Sequence, residues 1–203
     1  YPFQSHYLDR NGLRLHYLDE GAGPPVVMLH GNPSWSFYYR ELVRGLRNDY
    51  RCVVPDHLGC GLSDKPGDDR YDFRLQSRVE DLEALLDSLA LPPRLTLVLH
   101  DWGGMIGLAW AHRHPHRLGR LVVLNTACGL LPETKPFPMP LRVFRNHRLG
   151  EWLATRWNAF ALITSRVGVR KRLAPAVRAG LVAPYDSPPH RLATVRFVQD
   201  IPL

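Results

Sequence analysis

The residue with the clearest chemical potential is Asp101, which stands between an apolar run, Leu95 to His100, and two glycines, Gly103 and Gly104. The run predicts a buried strand, and the glycines predict a tight bend into a helix that starts close to it. This is the pattern of a nucleophile elbow. Asp stands where many such enzymes carry Ser, and no G-x-S-x-G occurs in the chain, which disfavours a serine esterase or lipase. The alternative is that Asp101 merely caps the helix.

A second polar motif, His30-Gly31-Asn32-Pro33, ends another apolar run. In an elbow enzyme the loop at this place gives one backbone N–H to an oxyanion hole, and the residue after the nucleophile gives the other. Asn32 and Trp102 occupy these positions. Their side chains add a carboxamide and an indole N–H, two neutral donors that can hold an anion. The two motifs together predict an aspartate that faces an anion-binding site.

An aspartate nucleophile restricts the reaction. Its carboxylate attacks a saturated carbon, displaces an anion and becomes an alkyl ester. Hydrolysis of the ester needs water activated by a histidine that a further acid orients, and elbow enzymes carry both later in the chain. The histidines after Asp101 lie along the next helix or in a separate insertion; they are His112, His114, His116, His147 and His190. We therefore expect the catalytic histidine and the last strands of the sheet beyond residue 203.

Apolar patterning predicts the elements that position these residues. Continuous apolar runs are typical of parallel strands buried on both faces; they are Val26 to His30, Cys52 to Pro55, Leu95 to His100 and Leu121 to Asn125. Helical spacing occurs in Ser36 to Arg47, Phe73 to Leu91 and Met105 to His112. Asn11-Gly12 favours a type I′ turn in an N-terminal hairpin. The order predicts an α/β fold with a mostly parallel sheet.

Residues 129–190 predict a helical insertion, because four prolines between residues 132 and 140 precede basic, Trp-containing helical patterns. Leu153, Trp157 and Phe160 fall at i, i+4 and i+7 and would form one apolar helix face. Over an active site such a face lines an apolar pocket, and we expect Trp35, Trp157 and Phe160 to line it. The chain thus divides into a core at 1–128, a helical cap at 129–190 and a return to the core at 191–203.

The net charge of +7 lies in this insertion, which has ten Lys or Arg and three Asp or Glu. Such a concentration favours a solvated helical surface, or else an acidic partner, a membrane surface or an anionic substrate, over nucleic-acid binding. No segment has the roughly 18 apolar residues of a membrane helix, and no signal peptide is evident.

Cysteine and histidine usage predicts neither disulfides nor a metal. Cys52, Cys60 and Cys128 are odd in number and lack a C-x-x-C pattern. The His112-x-His-Pro-His116 sequence lies at a helix end that Pro115 interrupts, which favours a solvated terminus. We expect a cytoplasmic protein without metal or cofactor.

At these residues the sequence resembles the haloalkane-dehalogenase-like branch of the α/β-hydrolase family, and most of all the β-lactone decarboxylases of bacterial long-chain olefin biosynthesis. The resemblance spans nearly the whole chain. Its stretches are HGNPSWSFYYR from His30, DHLGCGLSDKP from Asp56, YDFRLQSRVEDLEALLD from Tyr71, HDWGGMIG from His100 and RFVQDIPL from Arg196.

The resemblance implies roles for these residues. Asp101 would be the nucleophile, Asn32 and Trp102 the anion donors, and residues 129–190 the cap. Some dehalogenases carry the acid after the strand that ends here at Asn125, and Asn cannot be that acid. The chain therefore resembles members whose acid and histidine both lie on later strands, beyond residue 203. The implied substrate is a cis-3,4-dialkyl β-lactone, converted to a cis-alkene and CO2. The implied partners are a β-lactone synthetase and other olefin-pathway enzymes.

Other functions stay open at this stage. A haloalkane dehalogenase would use the same donors for halide. An epoxide hydrolase resembles this pattern but is expected to place two tyrosines in its cap, where this chain has only Tyr185. The fold could also be a non-catalytic binding module. A dinucleotide site at Gly59-Cys60-Gly61 lacks the third glycine.

Overall fold

The computed structural model describes residues 1–127 and 137–201. Within these residues it contains a six-stranded sheet of order β1-β2-β4-β3-β5-β6. The strands are β1 His6–Asp9, β2 Arg14–Glu20, β3 Pro25–Leu29, β4 Arg51–Pro55, β5 Leu95–His100 and β6 Leu118–Leu124. The pairs β1–β2 and β2–β4 are antiparallel, whereas β3, β4, β5 and β6 are mutually parallel. The predicted α/β fold is confirmed.

The N-terminal hairpin has the predicted turn. Asn11 and Gly12 both have positive φ, at 56° and 77°, as a type I′ turn requires. Arg10 and Leu13 exchange two backbone hydrogen bonds across it. The short Asn-Gly signal was therefore sufficient to place this turn.

Helices flank the sheet and form the insertion. They are α1 Arg40–Leu46, α2 Leu75–Ser88, α3 Trp102–Arg113, α4 Met139–Asn146, α5 Arg148–Trp157, α6 Ala159–Val167, α7 Pro175–Val182 and α8 Leu192–Gln199. The helix predicted from Ser36 begins as a 3₁₀ turn, Ser36–Tyr39, before α1. Helix α3 starts three residues before the predicted Met105, because the two glycines let it begin directly after Asp101.

Two apolar clusters hold the sheet. Helices α2 and α3 pack on one face, where Trp110 and Leu85 are fully buried, and Tyr39 and Val43 cover the other face near α1. Helix α8 joins the core to the insertion, since Phe197 belongs to the first cluster and Val195 to a third cluster within the cap helices.

The expected single apolar helix face in the insertion is wrong. Asn158 has φ 54° and separates α5 from α6, so Leu153, Trp157 and Phe160 do not share one helix. The predicted domain boundary at 128–129, together with Cys128, Pro132 and Pro136, lies outside the described residues. Over the described ranges, every helix is too short or too polar to cross a membrane.

Candidate active site

Asp101 lies on a strained turn between β5 and α3. Its φ is 51° and its ψ is −123°, a conformation that non-glycine residues rarely adopt. The Asp101 carbonyl accepts hydrogen bonds from the Gly104 N–H, at 2.9 Å, and from the Thr126 hydroxyl. The side chain makes no capping bond to α3, so the alternative role as a helix cap does not apply. The turn instead directs the carboxylate away from its own helix.

Both glycines of the elbow are required by close packing. A Cβ on Gly103 would collide with the backbone carbonyl of Leu29 in β3, and a Cβ on Gly104 would collide with the Thr126 side chain. Helix α3 therefore begins in direct contact with the two neighbouring strand ends. This packing holds Asp101 at the carboxyl edge of the parallel strands.

The Asp101 carboxylate faces the loop after β3. Its Oδ1 accepts a hydrogen bond of 2.8 Å from the Asn32 backbone N–H. Gly31 lies so close to the carboxylate that a Cβ there would collide with the Asp101 side chain. The structure thus brings together two motifs that lie 69 residues apart in the chain.

The two predicted side-chain donors differ in their surroundings. Asn32 Nδ2 donates to the Thr194 carbonyl at 2.7 Å, and Asn32 Oδ1 is buried without a partner in the described part of the chain. An amide nitrogen carries two hydrogens, so one bond to Thr194 leaves the second for a ligand. Trp102 begins α3 directly after Asp101 and is 5% exposed.

A cavity of about 120 Å³ lies beside Asn32, between the core and the cap. Tyr38 and His100 form part of its wall, and their rings stack with centroids 4.5 Å apart. The cap contributes a mainly apolar wall, made of Ala161, Thr164, Ser165, Gly168, Val169, Leu181 and Val182. The cavity can therefore receive an apolar group next to Asn32 and His100, two residues that adjoin Asp101.

Tyr38 and His100 were not predicted as site residues from the sequence. Burial raises the pKa of Tyr38, and the nearby Asp101 carboxylate raises it further. Burial lowers the pKa of His100, against the opposing effect of Asp101. Both side chains are therefore neutral at pH 7. His100 directly precedes Asp101, and this adjacency is the one sequence signal that could have identified it.

The three residues expected to line the pocket are not among those that line this cavity. Trp35 is buried, and its indole N–H donates to the Gly180 carbonyl at 3.0 Å. Trp157 is the last residue of α5. Its side chain is 58% exposed and packs against Trp152. Phe160 packs within the cap against Phe144, with ring centroids 5.1 Å apart. Trp35 thus ties the cap to the core, and Phe160 stabilises the cap.

The histidines after Asp101 stay apart from it. His114 lies beyond the far end of α3 and contacts Glu83 at 2.8 Å, while His190 pairs with Asp186 on the surface. His30 and His57 are buried beside each other, with ring centroids 4.3 Å apart. Burial lowers both of their pKa values. The expectation that the catalytic base lies beyond residue 203 stays a prediction.

Residues 24–177 match the family described as alpha/beta hydrolase fold. The chain is 56% identical over 203 residues to the cis-3-alkyl-4-alkyloxetan-2-one decarboxylase of Shewanella oneidensis, covering 100% of this chain and 64% of that protein. The chain therefore spans somewhat less than two thirds of the length of this relative.

Dehalogenases are more distant relatives. A haloalkane dehalogenase of Mycolicibacterium paratuberculosis is 36% identical over 218 residues, covering 100% of this chain and 67% of that protein. Among solved structures, the haloalkane dehalogenase DatA of Agrobacterium tumefaciens C58 is similar, with a TM-score of 0.88 and 27% identity over 98% of this chain and 68% of that one.

Proposed function

The chain belongs to the α/β-hydrolase family, and we propose that it carries the nucleophile and the anion donors of a β-lactone decarboxylase, which converts cis-3,4-dialkyl β-lactones to cis-alkenes and CO2. The observation that carries the proposal is the Asp101 carboxylate, which the elbow holds 2.8 Å from the Asn32 N–H beside an apolar cavity. The 56% identity to a decarboxylase of this class supports the choice of substrate.

In the proposed first step, Asp101 attacks the saturated ring carbon that is bonded to the ring oxygen, not the carbonyl carbon. The carbon–oxygen bond breaks, an alkyl ester of Asp101 forms, and the ring oxygen becomes part of a free carboxylate. The side-chain N–H groups of Asn32 and Trp102 are the donors for this carboxylate, in the manner of an oxyanion hole.

In the second step the carboxylate leaves as CO2. The electron pair of its carbon–carbon bond forms the alkene and expels the Asp101 carboxylate, which is regenerated. The alkene and CO2 together contain all the atoms of the lactone, so the two steps consume no water. Inversion at the attacked carbon followed by an anti departure keeps the two alkyl groups cis, as the product requires.

The apolar cap wall fits the alkyl substituents, because burial of each methylene contributes about 0.8 kcal/mol. The cavity volume of about 120 Å³ is too small for two long alkyl chains. Long alkyl chains must therefore extend beyond it, past the cap residues.

The test is release of CO2 and alkene from a cis-3,4-dialkyl β-lactone by the full-length protein. We expect Asp101→Ala to abolish turnover while the thermal unfolding transition is retained, because the substitution removes the nucleophile and leaves the packing of α3 intact. Asp69→Ala, which removes an exposed carboxylate elsewhere, is the matched control and should leave turnover unchanged. Near-wild-type turnover by Asp101→Ala would refute the assignment.

A haloalkane dehalogenase is the second candidate, supported by the 36% identical relative. The two reactions differ in their need for water, because a dehalogenase must hydrolyse the aspartyl ester at its carbonyl. Turnover in H₂¹⁸O would therefore label the Asp101 carboxylate in a dehalogenase and leave it unlabelled in the proposed decarboxylation. An epoxide hydrolase is disfavoured further, since the hydroxyl of Tyr185 donates to the Ser34 carbonyl.

The proposal includes a partner and a location. An enzyme that closes β-lactone rings must supply the substrate, so a β-lactone synthetase is the proposed partner, along with other olefin-pathway enzymes. The basic cap surface is the proposed contact, and salt-insensitive association of the two proteins would exclude it. The buried free thiols of Cys52 and Cys60 support a reducing, cytoplasmic location.

A further inference from the structure

Helix α8 contacts both of the proposed anion donors. The Thr194 carbonyl accepts the hydrogen bond from Asn32 Nδ2 at 2.7 Å. The Phe197 ring lies edge-on against the Trp102 ring, with centroids 5.2 Å apart. Thr194 and Phe197 are three residues apart and so share one face of the helix. A single helix therefore contacts two donors that come from separate segments, the loop after β3 and the start of α3.

A buried cation lies against the same phenylalanine. Arg78 of α2 is 1% exposed, and its guanidinium carbon is 3.6 Å from the centroid of the Phe197 ring and 6.0 Å from that of Trp102. One guanidinium nitrogen donates to the Phe73 carbonyl. The Nε and Nη2 atoms of Arg78 have no hydrogen-bond partner within residues 1–127 and 137–201.

This arrangement is costly for stability alone. Burial of an unpaired charge carries a desolvation penalty that one carbonyl and an aromatic face offset only in part. Burial accordingly lowers the pKa of Arg78. An apolar side chain of similar length would pack against Phe197 without this penalty. The charge at this position therefore points to a role beyond packing.

We propose that Arg78 and Phe197 form a cation–π lock that positions α8, and through it the side chains of Asn32 and Trp102, for anion binding. The charge of Arg78, which the Asp81 and Asp200 carboxylates offset only from beyond ion-pair distance, also contributes positive electrostatic potential behind the two neutral donors. Arg78 and Phe197 are positioning residues in this role. The inference rests on the proposed function in one respect, the assignment of Asn32 and Trp102 as anion donors.

Bromide is a suitable probe, because a bromide ion held beside Trp102 should quench tryptophan fluorescence in a saturable manner. In the full-length protein we expect Arg78→Met to raise the bromide dissociation constant at least tenfold, because at an effective dielectric of about 20 a unit charge within about 12 Å changes the affinity by at least that factor. The melting temperature should stay the same or rise, since Met removes the desolvation penalty. Arg78→Lys should bind bromide better than Arg78→Met. Arg94→Met removes an exposed charge and should change neither quantity.

Wild-type bromide affinity in Arg78→Met would overturn the inference. A loss of affinity that Arg78→Lys does not reduce would overturn the electrostatic part. If Arg78→Met does not fold, variants of Phe197 provide the test. Phe197→Leu keeps the Arg78 charge but removes the aromatic ring, and it should weaken bromide binding severalfold. Phe197→Tyr keeps an aromatic ring and should bind bromide with nearly wild-type affinity. Equal binding by both Phe197 variants would overturn the lock.

Failure of this inference is distinguishable from failure of the proposed function. Bromide binding that depends on Arg78, in a protein that releases no CO2 from a β-lactone, would refute the decarboxylase and leave the inference standing. Turnover of the lactone, together with bromide binding that does not depend on Arg78, would support the decarboxylase and refute the positioning role of Arg78. Absence of saturable quenching in the wild-type protein would overturn the inference itself.

Discussion

Gly31 offers a direct test of the carboxylate geometry without any change of chemical group. A Cβ at this position would collide with the Cβ and Oδ1 atoms of Asp101, so Gly31→Ala must displace the carboxylate from the Asn32 N–H. No backbone strain at residue 31 contributes, because its φ lies outside the left-handed region. The substitution thus acts on the position of the nucleophile.

The expected magnitude follows from the lost hydrogen bond. A hydrogen bond to a charged group contributes about 1.5–3 kcal/mol, so misplacement of the Asp101 carboxylate should lower kcat roughly 10- to 100-fold. Strain from the added methyl group should also lower the free energy of unfolding by about 1–3 kcal/mol.

The assay is CO2 release from a cis-dialkyl β-lactone by the full-length protein, together with urea unfolding. Gly45→Ala is the matched control, because a Cβ at Gly45 in α1 meets nothing within 4 Å. This control should leave kcat unchanged and raise the free energy of unfolding by up to about 1 kcal/mol, from the higher helix propensity of Ala. A kcat within twofold of wild type for Gly31→Ala would refute the deduced contact between the loop and the nucleophile.

Three further predictions concern stability. Burial lowers the pKa values of His30 and His57, so below about pH 6.5 the unfolded chain binds more protons than the folded chain. In urea titrations from pH 7.5 to 5, the free energy of unfolding should therefore fall by up to about 1.4 kcal/mol per pH unit for each histidine. A free energy of unfolding that does not change with pH would contradict the neutral burial of the two side chains. Asp101→Gly should be about 1 kcal/mol more stable than Asp101→Ala in the same assay, because only Gly relieves the positive φ at this turn; the opposite order would argue against a strained elbow. Trp157→Ala should change the free energy of unfolding by less than about 0.5 kcal/mol and leave turnover unchanged, since Trp157 is mostly exposed. A large drop in turnover would instead indicate that Trp157 lines the substrate pocket.

Local signals predicted the frame of the candidate site correctly. The apolar run of β5 and the glycines after Asp101 predicted a strand, a sharp turn and a helix, because each depends on residues adjacent in the chain. The Asn11-Gly12 turn is another example. The last predicted strand, from Leu121, was too short, because β6 begins at Leu118 and its first residues are more polar than a buried run.

The single apolar helix face of the cap was predicted wrongly, because helical periodicity does not show where a helix ends. Trp157 and Phe160 were placed on one face by spacing, yet Asn158 adopts φ 54° and redirects the chain between them. Trp35 stands next to the Asn32 motif in sequence, but its indole bonds to Gly180 in α7. Such a contact, between residues 145 positions apart, leaves no mark in the local pattern.

The amino-acid sequence by itself determined which groups are available and which local backbone carries them: a carboxylate after a buried strand, glycines that permit the bend, and an Asn-containing loop after another strand. Tertiary structure alone decided their mutual geometry. The Asn32 N–H meets the Asp101 carboxylate only because β3 and β5 are parallel neighbours, and α8 reaches Asn32, Trp102 and Arg78 only through packing of distant segments. The physical reason is that backbone conformation follows from nearby residues, whereas contacts between side chains depend on how whole elements bury their apolar faces together.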